Sequence, residues 1–204
     1  MKTVIIDYGM SNLGSIKRAV EECGGDVVVA DDPRDLKYAG KIILPGVGSY
    51  ADGMKNIRER GWFEAIREEA GVNKVPLLGV CLGMQLLSDR GDEGGDTEGL
   101  GLIAGEVKKL VPVADNERIP HVGWNEINIA SECPLLEDIH DGSDFYFVHS
   151  YHFIVRDPRD VAAYTPYCGK FVSIAAHENI YGTQFHPEKS TPDGFLLLKN
   201  FLKL

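Results

Sequence analysis

Short apolar runs alternate with amphipathic stretches through the first half of the chain. Four runs have the length and β-branched content of buried strands, namely residues 3–7, 27–30, 42–44 and 77–80. Apolar residues at helical spacing lie between them, first over residues 16–23 and later over residues 62–70. Strands that alternate with helices predict a parallel sheet with right-handed crossovers.

The pattern changes from about residue 101, where the apolar runs become shorter and turns more frequent. Strands are predicted there at residues 106–110, 126–129, 145–148, 161–164, 173–177 and 180–185, and a closing helix at 195–202. No repeat, low-complexity segment or long linker divides the chain. We predict a single domain over residues 1–204 with an α/β fold, in which an open, mostly parallel sheet flanked by helices carries a partly antiparallel extension.

One predicted strand leads into the segment Gly79-Val80-Cys81-Leu82-Gly83, which a helical pattern follows. This order predicts a strand, a sharp turn and a helix, with Cys81 on the turn. The flanking glycines leave room for the backbone to double back, and the positive end of the helix favours a thiolate. Most free cysteines are only small buried hydrophobes. The turn nevertheless makes Cys81 a candidate nucleophile.

A candidate base and its orienting group lie near the end of the chain. His186 follows the predicted strand at 180–185, and Glu188 comes two residues later. In an extended stretch their side chains leave on the same side. A thiol nucleophile needs a base, and the base needs an orienting group. Nucleophile, histidine and carboxylate in this order favour a catalytic reading of His186 over a structural one.

The apolar run at 42–44 continues into Pro45-Gly46-Val47-Gly48. Glycines at a strand end let backbone N–H groups approach a ligand, as an oxyanion hole requires. The motif alone is also typical of a plain turn, and it lacks the Lys-Ser/Thr ending of a phosphate loop. We predict that the oxyanion donors are the N–H of Leu82 and that of Val47 or Gly48.

His149 and His152 suggest a metal site at first sight. Residues at i and i+3 of one strand point to opposite faces, however, so the pair is rejected as a ligand set. The cysteines at positions 23, 81, 133 and 168 show no paired ligand spacing either. No metal and no cofactor are predicted.

Together these segments resemble the class I, or triad, glutamine amidotransferases, and more narrowly the glutaminase subunits of imidazole glycerol phosphate synthases. The Cys81 turn and the His186-Pro187-Glu188 segment carry the wider resemblance. Pro-His-Val-Gly-Trp-Asn at 120–125 and Tyr-Phe-Val-His-Ser-Tyr at 146–151 carry the narrower one. The resemblance spans the whole chain and implies the flavodoxin-like amidotransferase fold. Ser11 departs from it, because that family usually has glycine there, at its partner interface.

The resemblance implies hydrolysis of glutamine through a thioester on Cys81, with His186 as base and Glu188 holding its imidazole. It also implies the residues that hold the amino-acid end of glutamine, which are Gly48, Gln85, Glu93, Ser150 and Tyr151. Asp89 and Asp92 compete with Glu93 for that role, since all lie in the acidic stretch 89–98. A solvated, flexible loop is the alternative interpretation of this stretch.

The resemblance further implies a partner, a (β/α)8-barrel imidazole glycerol phosphate cyclase that forms a heterodimer with the chain and receives ammonia through its interior. The products would be imidazole glycerol phosphate and a ribonucleotide that re-enters purine synthesis. In the family, glutaminase activity stays low until the partner binds its own ligand. The family's interface positions are matched by Asn12, Trp124, Tyr146 and Lys189. Core packing is the alternative for Trp124.

Charge and hydropathy exclude other classes of function. The net charge of −10 argues against a nucleic-acid binder, which would show a basic patch. No apolar run approaches the ~20 residues that span a bilayer, and no secretory signal opens the chain. We therefore expect a cytoplasmic protein with no membrane partner and with its cysteines free.

Three other functions stay open at this stage. The first is a cysteine hydrolase with the same turn that acts on peptides or damaged adducts. The second is a non-catalytic scaffold, which would be expected to have lost Cys81, His186 or Glu188. The third is a paralogous glutaminase that supplies ammonia for surface-sugar amidation, and the departure at Ser11 is a mild reason to retain it.

Overall fold

The fold is known from a computed structural model, which describes residues 2–204. The predicted domain begins at residue 1, which lies outside the described residues. In chain order the strands are β1 (Thr3–Ile6), β2 (Val27–Ala30), β3 (Lys41–Gly46), β4 (Leu77–Cys81), β5 (Arg90–Gly91), β6 (Thr97–Glu98), β7 (Gly105–Lys109), β8 (His121–Glu126), β9 (Asn128–Ile129), β10 (Asp144–His149), β11 (Tyr151–Val155), β12 (Val161–Thr165), β13 (Phe171–His177) and β14 (Ile180–Thr183).

The largest sheet has eight strands in the order β2-β1-β3-β4-β14-β13-β12-β9. Strands β2, β1, β3, β4 and β14 are parallel neighbours, and this order is the flavodoxin-like one. Strands β13, β12 and β9 add to it in antiparallel fashion. The prediction of a mostly parallel sheet with an antiparallel extension is confirmed.

Helices cover both faces of this sheet. They are α1 (Leu13–Glu22), α2 (Tyr50–Glu59), α3 (Trp62–Ile66), α4 (Leu82–Leu86) and α5 (Asp193–Lys203). One apolar core contains side chains of α2, α3 and α4, and the other contains side chains of α1 and α5. The predicted helix at 62–70 is present, but its second part, Arg67–Val72, is a π-helix. Within residues 2–204, no helix has the length and apolar character needed to cross a bilayer.

Two smaller sheets lie beside the large one. Strands β10 and β8 form a two-stranded antiparallel ribbon, and β11, β7, β5 and β6 form a sheet of four. The single strand predicted at 126–129 is wrong, because β8 ends at Glu126 and β9 is a separate short strand. The treatment of His149 and His152 as members of one strand is also wrong, because the chain changes sheets at Ser150 and places them on β10 and β11.

The parallel strands bring three loops to one edge of the sheet. Strand β3 ends at Gly46, β4 ends at Cys81, and β14 ends three residues before His186. Pairing aligns Gly46 with Cys81 directly and Thr183 with Val80. Ligands of open α/β sheets bind at this carboxyl edge, so the topology places the three sequence motifs around one crevice.

Candidate active site

The turn at Cys81 is as sharp as the sequence predicts. Strand β4 ends at Cys81 and α4 begins at Leu82, with no residue between them. Cys81 has φ +54° and ψ −110°, a conformation that L-residues seldom adopt. A Cβ on Gly83 would lie 1.8 Å from the Leu44 carbonyl oxygen, and one on Gly79 would lie 2.7 Å from that of Gly83. Both positions therefore require glycine, and the strained turn holds the sulfur at the mouth of the crevice.

His186 and Glu188 form a buried pair next to this turn. His186 Nδ1 lies 2.9 Å from Glu188 Oε1, and both side chains are about 5% exposed or less. The predicted extended stretch is wrong in detail, because Pro187–Lys189 is a 3₁₀ turn. The turn still brings the two side chains together. The backbone N–H of His186 donates to the Tyr146 carbonyl at 3.0 Å, which ties this segment to β10.

The charges around His186 favour its imidazolium form. Burial alone would lower its pKa, but the neighbouring Cys81 sulfur and the Glu188 carboxylate outweigh burial and raise the pKa to about 9. His186 Nε2 has no hydrogen-bond partner within residues 2–204. Because Nδ1 is held by Glu188, Nε2 is the atom left free to exchange a proton with a sulfur or a leaving group.

A cleft of about 380 Å³ opens in front of Cys81. It brings together the predicted triad members Cys81 and His186 with all of the predicted oxyanion and substrate residues. Its walls are formed by Val47, Gly48, Cys81, Leu82, Gln85, Glu93, Pro120, Val148, His149, Ser150, Tyr151 and His186. Pro120, Val148 and His149 are the lining residues that the sequence analysis did not assign to the site.

The predicted oxyanion donors differ in availability. The N–H of Leu82 belongs to the first turn of α4, where backbone N–H groups have no acceptor within the helix. The N–H of Val47, in contrast, donates to the Met10 carbonyl at 2.8 Å. Val47 is therefore not a free donor in this conformation, and the choice between Val47 and Gly48 stays a prediction.

The acidic stretch 89–98 is folded rather than loose. Strands β5 and β6 pair within it. Glu93 Oε2 accepts a hydrogen bond from the N–H of Tyr50 at 2.9 Å, and burial raises its pKa. Asp89 pairs instead with Arg156 and Asp92 with Lys108. Of the three acids, only Glu93 lines the cleft.

The predicted partner residues lie on an exposed face beside the cleft. The Trp124 side chain is 56% exposed, so the core-packing alternative is wrong. Its ring meets Tyr146 edge-on at 6.1 Å, and Lys189 Nζ lies 5.7 Å from the Tyr146 ring centroid. Asn12 and Lys189 line a second cavity of about 170 Å³, which His186 and Glu188 also reach.

A chain of buried histidines behind the cleft was not foreseen from the sequence. His121 Nδ1 lies 3.0 Å from His149 Nε2, and His149 Nδ1 lies 2.8 Å from the Tyr151 carbonyl oxygen. Asn125 Nδ2 lies 3.3 Å from His121 Nε2. His149 and His152 therefore belong to different strands and surroundings. Among residues 2–204, no group of three or more His, Cys, Asp or Glu side chains is arranged to hold a metal.

Backbone groups at both ends fix the direction of every bond in this chain. The Tyr151 carbonyl can only accept, so His149 Nδ1 carries a proton and Nε2 does not. His121 Nδ1 must then donate to it. At the other end, Asn125 Oδ1 accepts from the N–H of Glu126, which leaves Asn125 Nδ2 to donate to His121. Both imidazoles are neutral, and burial lowers the pKa of His121 to about 4 and that of His149 to about 3.

Comparison with known proteins identifies the family. A family model described as glutamine amidotransferase class-I matches residues 4–204. The imidazole glycerol phosphate synthase subunit HisH 1 of Campylobacter jejuni (strain RM1221) is 48% identical over 200 residues, which cover 98% of each chain. The corresponding HisH subunit of Moorella thermoacetica is 46% identical over 98% of this chain and 93% of its own.

Solved structures agree on the fold. The structure of PurLQS from Thermotoga maritima superposes with a TM-score of 0.75 at 21% identity, covering 99% of this chain and 97% of that chain. A crystal structure of a glutamine amidotransferase gives a TM-score of 0.73 at 18% identity, covering 98% and 97%.

Proposed function

Because the chain belongs to the class I glutamine amidotransferases, and within them to the HisH subunits of imidazole glycerol phosphate synthase, we propose that Cys81, His186 and Glu188 are the triad with which it hydrolyses glutamine. It is a glutaminase subunit that serves histidine biosynthesis. The observation that carries the residue assignment is the cleft, in which the strained turn at Cys81 faces the buried pair of His186 and Glu188. This geometry supplies a nucleophile, a base and an orienting carboxylate.

In the proposed reaction the Cys81 thiolate attacks the side-chain carbonyl carbon of glutamine. The imidazolium of His186 then delivers a proton from Nε2 to the leaving ammonia, and the acyl group stays on sulfur as a thioester. Water hydrolyses the thioester, with His186 acting as base for that water, and releases glutamate. Glu188 accepts from Nδ1 throughout, so the ring keeps the orientation that presents Nε2 to the cleft.

The oxyanion of each tetrahedral intermediate is met by Leu82, whose N–H follows the nucleophile directly, and by a donor from the Gly46–Gly48 turn. Loss of one such donor typically costs about 3 kcal/mol of barrier height. Since the Val47 N–H is bound to Met10, the turn must rearrange before Val47 could serve. We propose that this bond keeps basal hydrolysis slow.

The amino-acid end of glutamine lies in the cleft against Gly48, Gln85, Glu93, Ser150 and Tyr151. Glu93 supports this proposal because, among residues 2–204, its carboxylate is the one acidic group lining the cleft, and the α-ammonium of glutamine needs such a partner. Gln85 and Tyr151 are joined by a hydrogen bond of 2.9 Å, which fixes one wall.

The partner is proposed to be a (β/α)8-barrel cyclase that forms a heterodimer and takes the ammonia. The exposed Trp124 and the half-buried Tyr146, with Lys189 and Asn12 nearby, offer aromatic and basic groups of the kind found at interface centres. We also propose that the complex works in the cytoplasm, where reducing conditions keep the Cys81 thiol available.

The test is ammonia release from glutamine by the purified chain, alone and with the cyclase and its nucleotide ligand. Partner and ligand together should stimulate release strongly. Cys81→Ala should abolish hydrolysis while the complex still forms and still runs its synthase reaction on added ammonia. Residual glutamine turnover by Cys81→Ala in the complex would refute the nucleophile. Glutaminase activity that ignores this partner would refute the proposed partner.

Trp124→Ala tests the docking face. Removing the indole should weaken association with the cyclase by about tenfold to a hundredfold, within the range of an interface anchor. Titration calorimetry measures the change. Val113→Ala is a matched control, because Val113 is also an exposed apolar side chain but lies outside the predicted interface set. Equal affinity for Trp124→Ala and wild type would place the partner elsewhere.

A further inference from the structure

Gln184 is a buried polar residue that the reaction described above does not use. It is fully buried between the end of β14 and the triad segment. Its Nε2 lies 3.8 Å from Cys81 Sγ, and its Oε1 lies 3.0 Å from Gln85 Nε2. The N–S separation is that of a hydrogen bond to sulfur, and a thiolate accepts such a bond more strongly than a thiol because it carries the full charge.

An amide beside a sulfur is informative only if its nitrogen, and not its oxygen, faces the sulfur. The Tyr151 carbonyl settles the orientation. That carbonyl can only accept, so the atom of Gln85 that lies 2.9 Å from it must be the nitrogen. The second hydrogen of the same nitrogen is then donated to Gln184, whose side-chain oxygen must be the acceptor. The NH₂ group of Gln184 is thereby turned toward Cys81.

The Tyr151 carbonyl is itself held from its other side. His149 Nδ1 donates to it at 2.8 Å, and His121 and Asn125 continue that chain to the backbone of β8. The orientation of Gln184 is therefore determined by a backbone acceptor that is fixed by two donors. A flip of either glutamine amide would place two oxygens, or two N–H groups, face to face in a buried site.

A second neighbour of the Cys81 sulfur shows why such a donor matters. The Val148 carbonyl oxygen lies 3.9 Å from Cys81 Sγ. It can accept from a thiol S–H, but it offers only a partial negative charge to a thiolate. The site therefore contains one partner for each form of Cys81, and the Gln184 amide is the partner of the thiolate.

We propose that Gln184 is a further catalytic residue, whose side-chain amide donates a hydrogen bond to the Cys81 thiolate and whose orientation is set by the Tyr151 carbonyl through Gln85. This inference rests on Cys81 being the nucleophile. No proton leaves the amide in the step. Its contribution is to stabilise the charged sulfur before attack, and again when the thioester breaks and the thiolate departs.

Other groups near the sulfur act on the same charge, so the test must separate them. His186 with Glu188 lies on one side, the buried Tyr8 hydroxyl approaches from the loop after β1, and the neutral His149 lines the cleft. The N-terminal end of α4 adds its N–H groups, and Glu93 faces the cleft from the β5–β6 segment. A substitution at position 184 retains all of these groups in the chain and removes only the Gln184 amide.

The experiment is alkylation of Cys81 by iodoacetamide across pH, followed peptide by peptide by mass spectrometry so that Cys23, Cys133 and Cys168 do not interfere. Gln184→Met keeps the approximate volume and removes the amide. We expect Cys81 in this variant to react about tenfold more slowly at pH 7, with the pH midpoint of alkylation raised by about one unit, as loss of a charge-assisted hydrogen bond predicts. A structural role alone would leave the midpoint where it is.

Two further variants keep the test decisive. Ser173→Ala is the matched control. The buried Ser173 hydroxyl has no hydrogen-bond partner among residues 2–204, and Ser173 on β13 accepts a backbone hydrogen bond from the Gln184 N–H. This variant should alkylate as wild type does. Gln85→Met keeps the Gln184 amide but removes the hydrogen bond that orients it. It should raise the pH midpoint of alkylation by a smaller amount than Gln184→Met does. If Gln184→Met does not fold, Gln85→Met serves as the test.

A wild-type midpoint and rate in folded Gln184→Met, or in Gln85→Met where the first variant fails to fold, overturns the inference. That outcome leaves the proposed function standing as long as Cys81→Ala still abolishes glutamine hydrolysis. Hydrolysis that survives Cys81→Ala would overturn both.

Discussion

Two buried pairs, His186 with Glu188 and His149 with His121, each contribute one histidine to the lining of the cleft, and burial has opposite outcomes in them. His186 is joined to Glu188, and its pKa is raised to about 9. His149 is joined to His121, and its pKa is lowered to about 3. The three histidines among these are all 5% exposed or less. Because all three side chains are equally buried, burial cannot explain the difference. The hydrogen-bond partner determines whether the neutral imidazole or the imidazolium is the stable form.

The difference has a simple electrostatic origin. A carboxylate offers a negative acceptor to the ring N–H, and its charge compensates for the desolvation of an imidazolium. A second imidazole offers only a lone pair, so a proton on both rings would bring two charged N–H groups together. The stacked rings of Phe147 and Tyr167 around His121 add no compensating charge. One pair is thus suited to proton transfer and the other to holding atoms in place.

The largest expected effect separates the two roles. His186→Ala should lower kcat for glutamine by a factor on the order of 10⁴ or more, because it removes the proton-transfer group. His121→Ala removes a group that touches no reacting atom and should lower kcat by far less, within about tenfold. Steady-state kinetics of the activated complex measures both. If His121→Ala lowered kcat as much as His186→Ala does, the distinction between a proton-transfer pair and a positioning pair would be wrong.

The next effect tests the carboxylate. Glu188→Gln should lower kcat roughly a hundredfold less than His186→Ala does, as for orienting groups in other triads. It should also shift the pH dependence governed by His186 to lower pH, since the charge that raises the pKa of His186 is lost. The pH–rate profile is the measurement. A loss as large as that of His186→Ala would give Glu188 a role beyond orientation.

Stability should depend on pH in opposite directions for the two pairs. The lowered pKa of His149 means that the unfolded chain binds the proton first, so stability is complete above pH 6.5 and falls below it. The raised pKa of His186 gives stability that is complete below pH 6.5 and is lost as the pH rises toward 9. Between pH 6.5 and 5 the free energy of unfolding of the wild type should decrease because of His149, and His149→Gln should make this decrease smaller by about 1.5 kcal/mol.

Urea unfolding at a series of pH values measures this slope. His140→Gln is the matched control, because His140 is an exposed histidine and its removal leaves the buried pair intact. A wild-type slope between pH 6.5 and 5 in His149→Gln would show that the neutral pair carries no such linkage.

The smallest expected effect comes from giving His121 a carboxylate neighbour, as His186 has in Glu188. Asn125→Asp places a carboxylate where an amide now lies 3.3 Å from His121 Nε2. The pKa of His121 should rise from about 4 by roughly one to three units, with little change in kcat. NMR titration of the imidazole reports it, with Asn128→Asp, at an exposed position nearby, as the control. An unmoved pKa would mean that burial alone governs His121.

The sequence predicted the parallel half of the fold well because its strands are continuous apolar runs with local turn signals. Strand β8 was missed because His-Val-Gly-Trp-Asn-Glu has little strand character of its own and depends on pairing with β10, whose paired residues lie 18 to 28 positions further along the chain. The break at Ser150 was missed for a related reason, since alternation continues across it while the partner strand changes.

The candidate triad could be predicted because the turn at Cys81 and the His-Pro-Glu segment each have a local sequence signature. The proposed role of Gln184 and the surroundings of His149 could not, because each depends on residues that are distant in the sequence. Gln184 is oriented by its hydrogen bonds with Cys81 and Gln85, and His149 by its hydrogen bonds with His121 and the Tyr151 carbonyl. An isolated buried glutamine or histidine in a strand pattern carries no such information.

The β8–β10 ribbon joins the exposed face that carries Trp124, the cleft wall and the His186 segment. Trp124 and Val122 point outward opposite Tyr146 and Val148, while the residues between them point inward. The edge of β10 meanwhile holds the His186 N–H at the Tyr146 carbonyl. A twist of this ribbon would therefore move its outer surface, the cleft wall and the triad backbone together. The ribbon therefore couples these three regions mechanically, so a force applied to one of them displaces the other two.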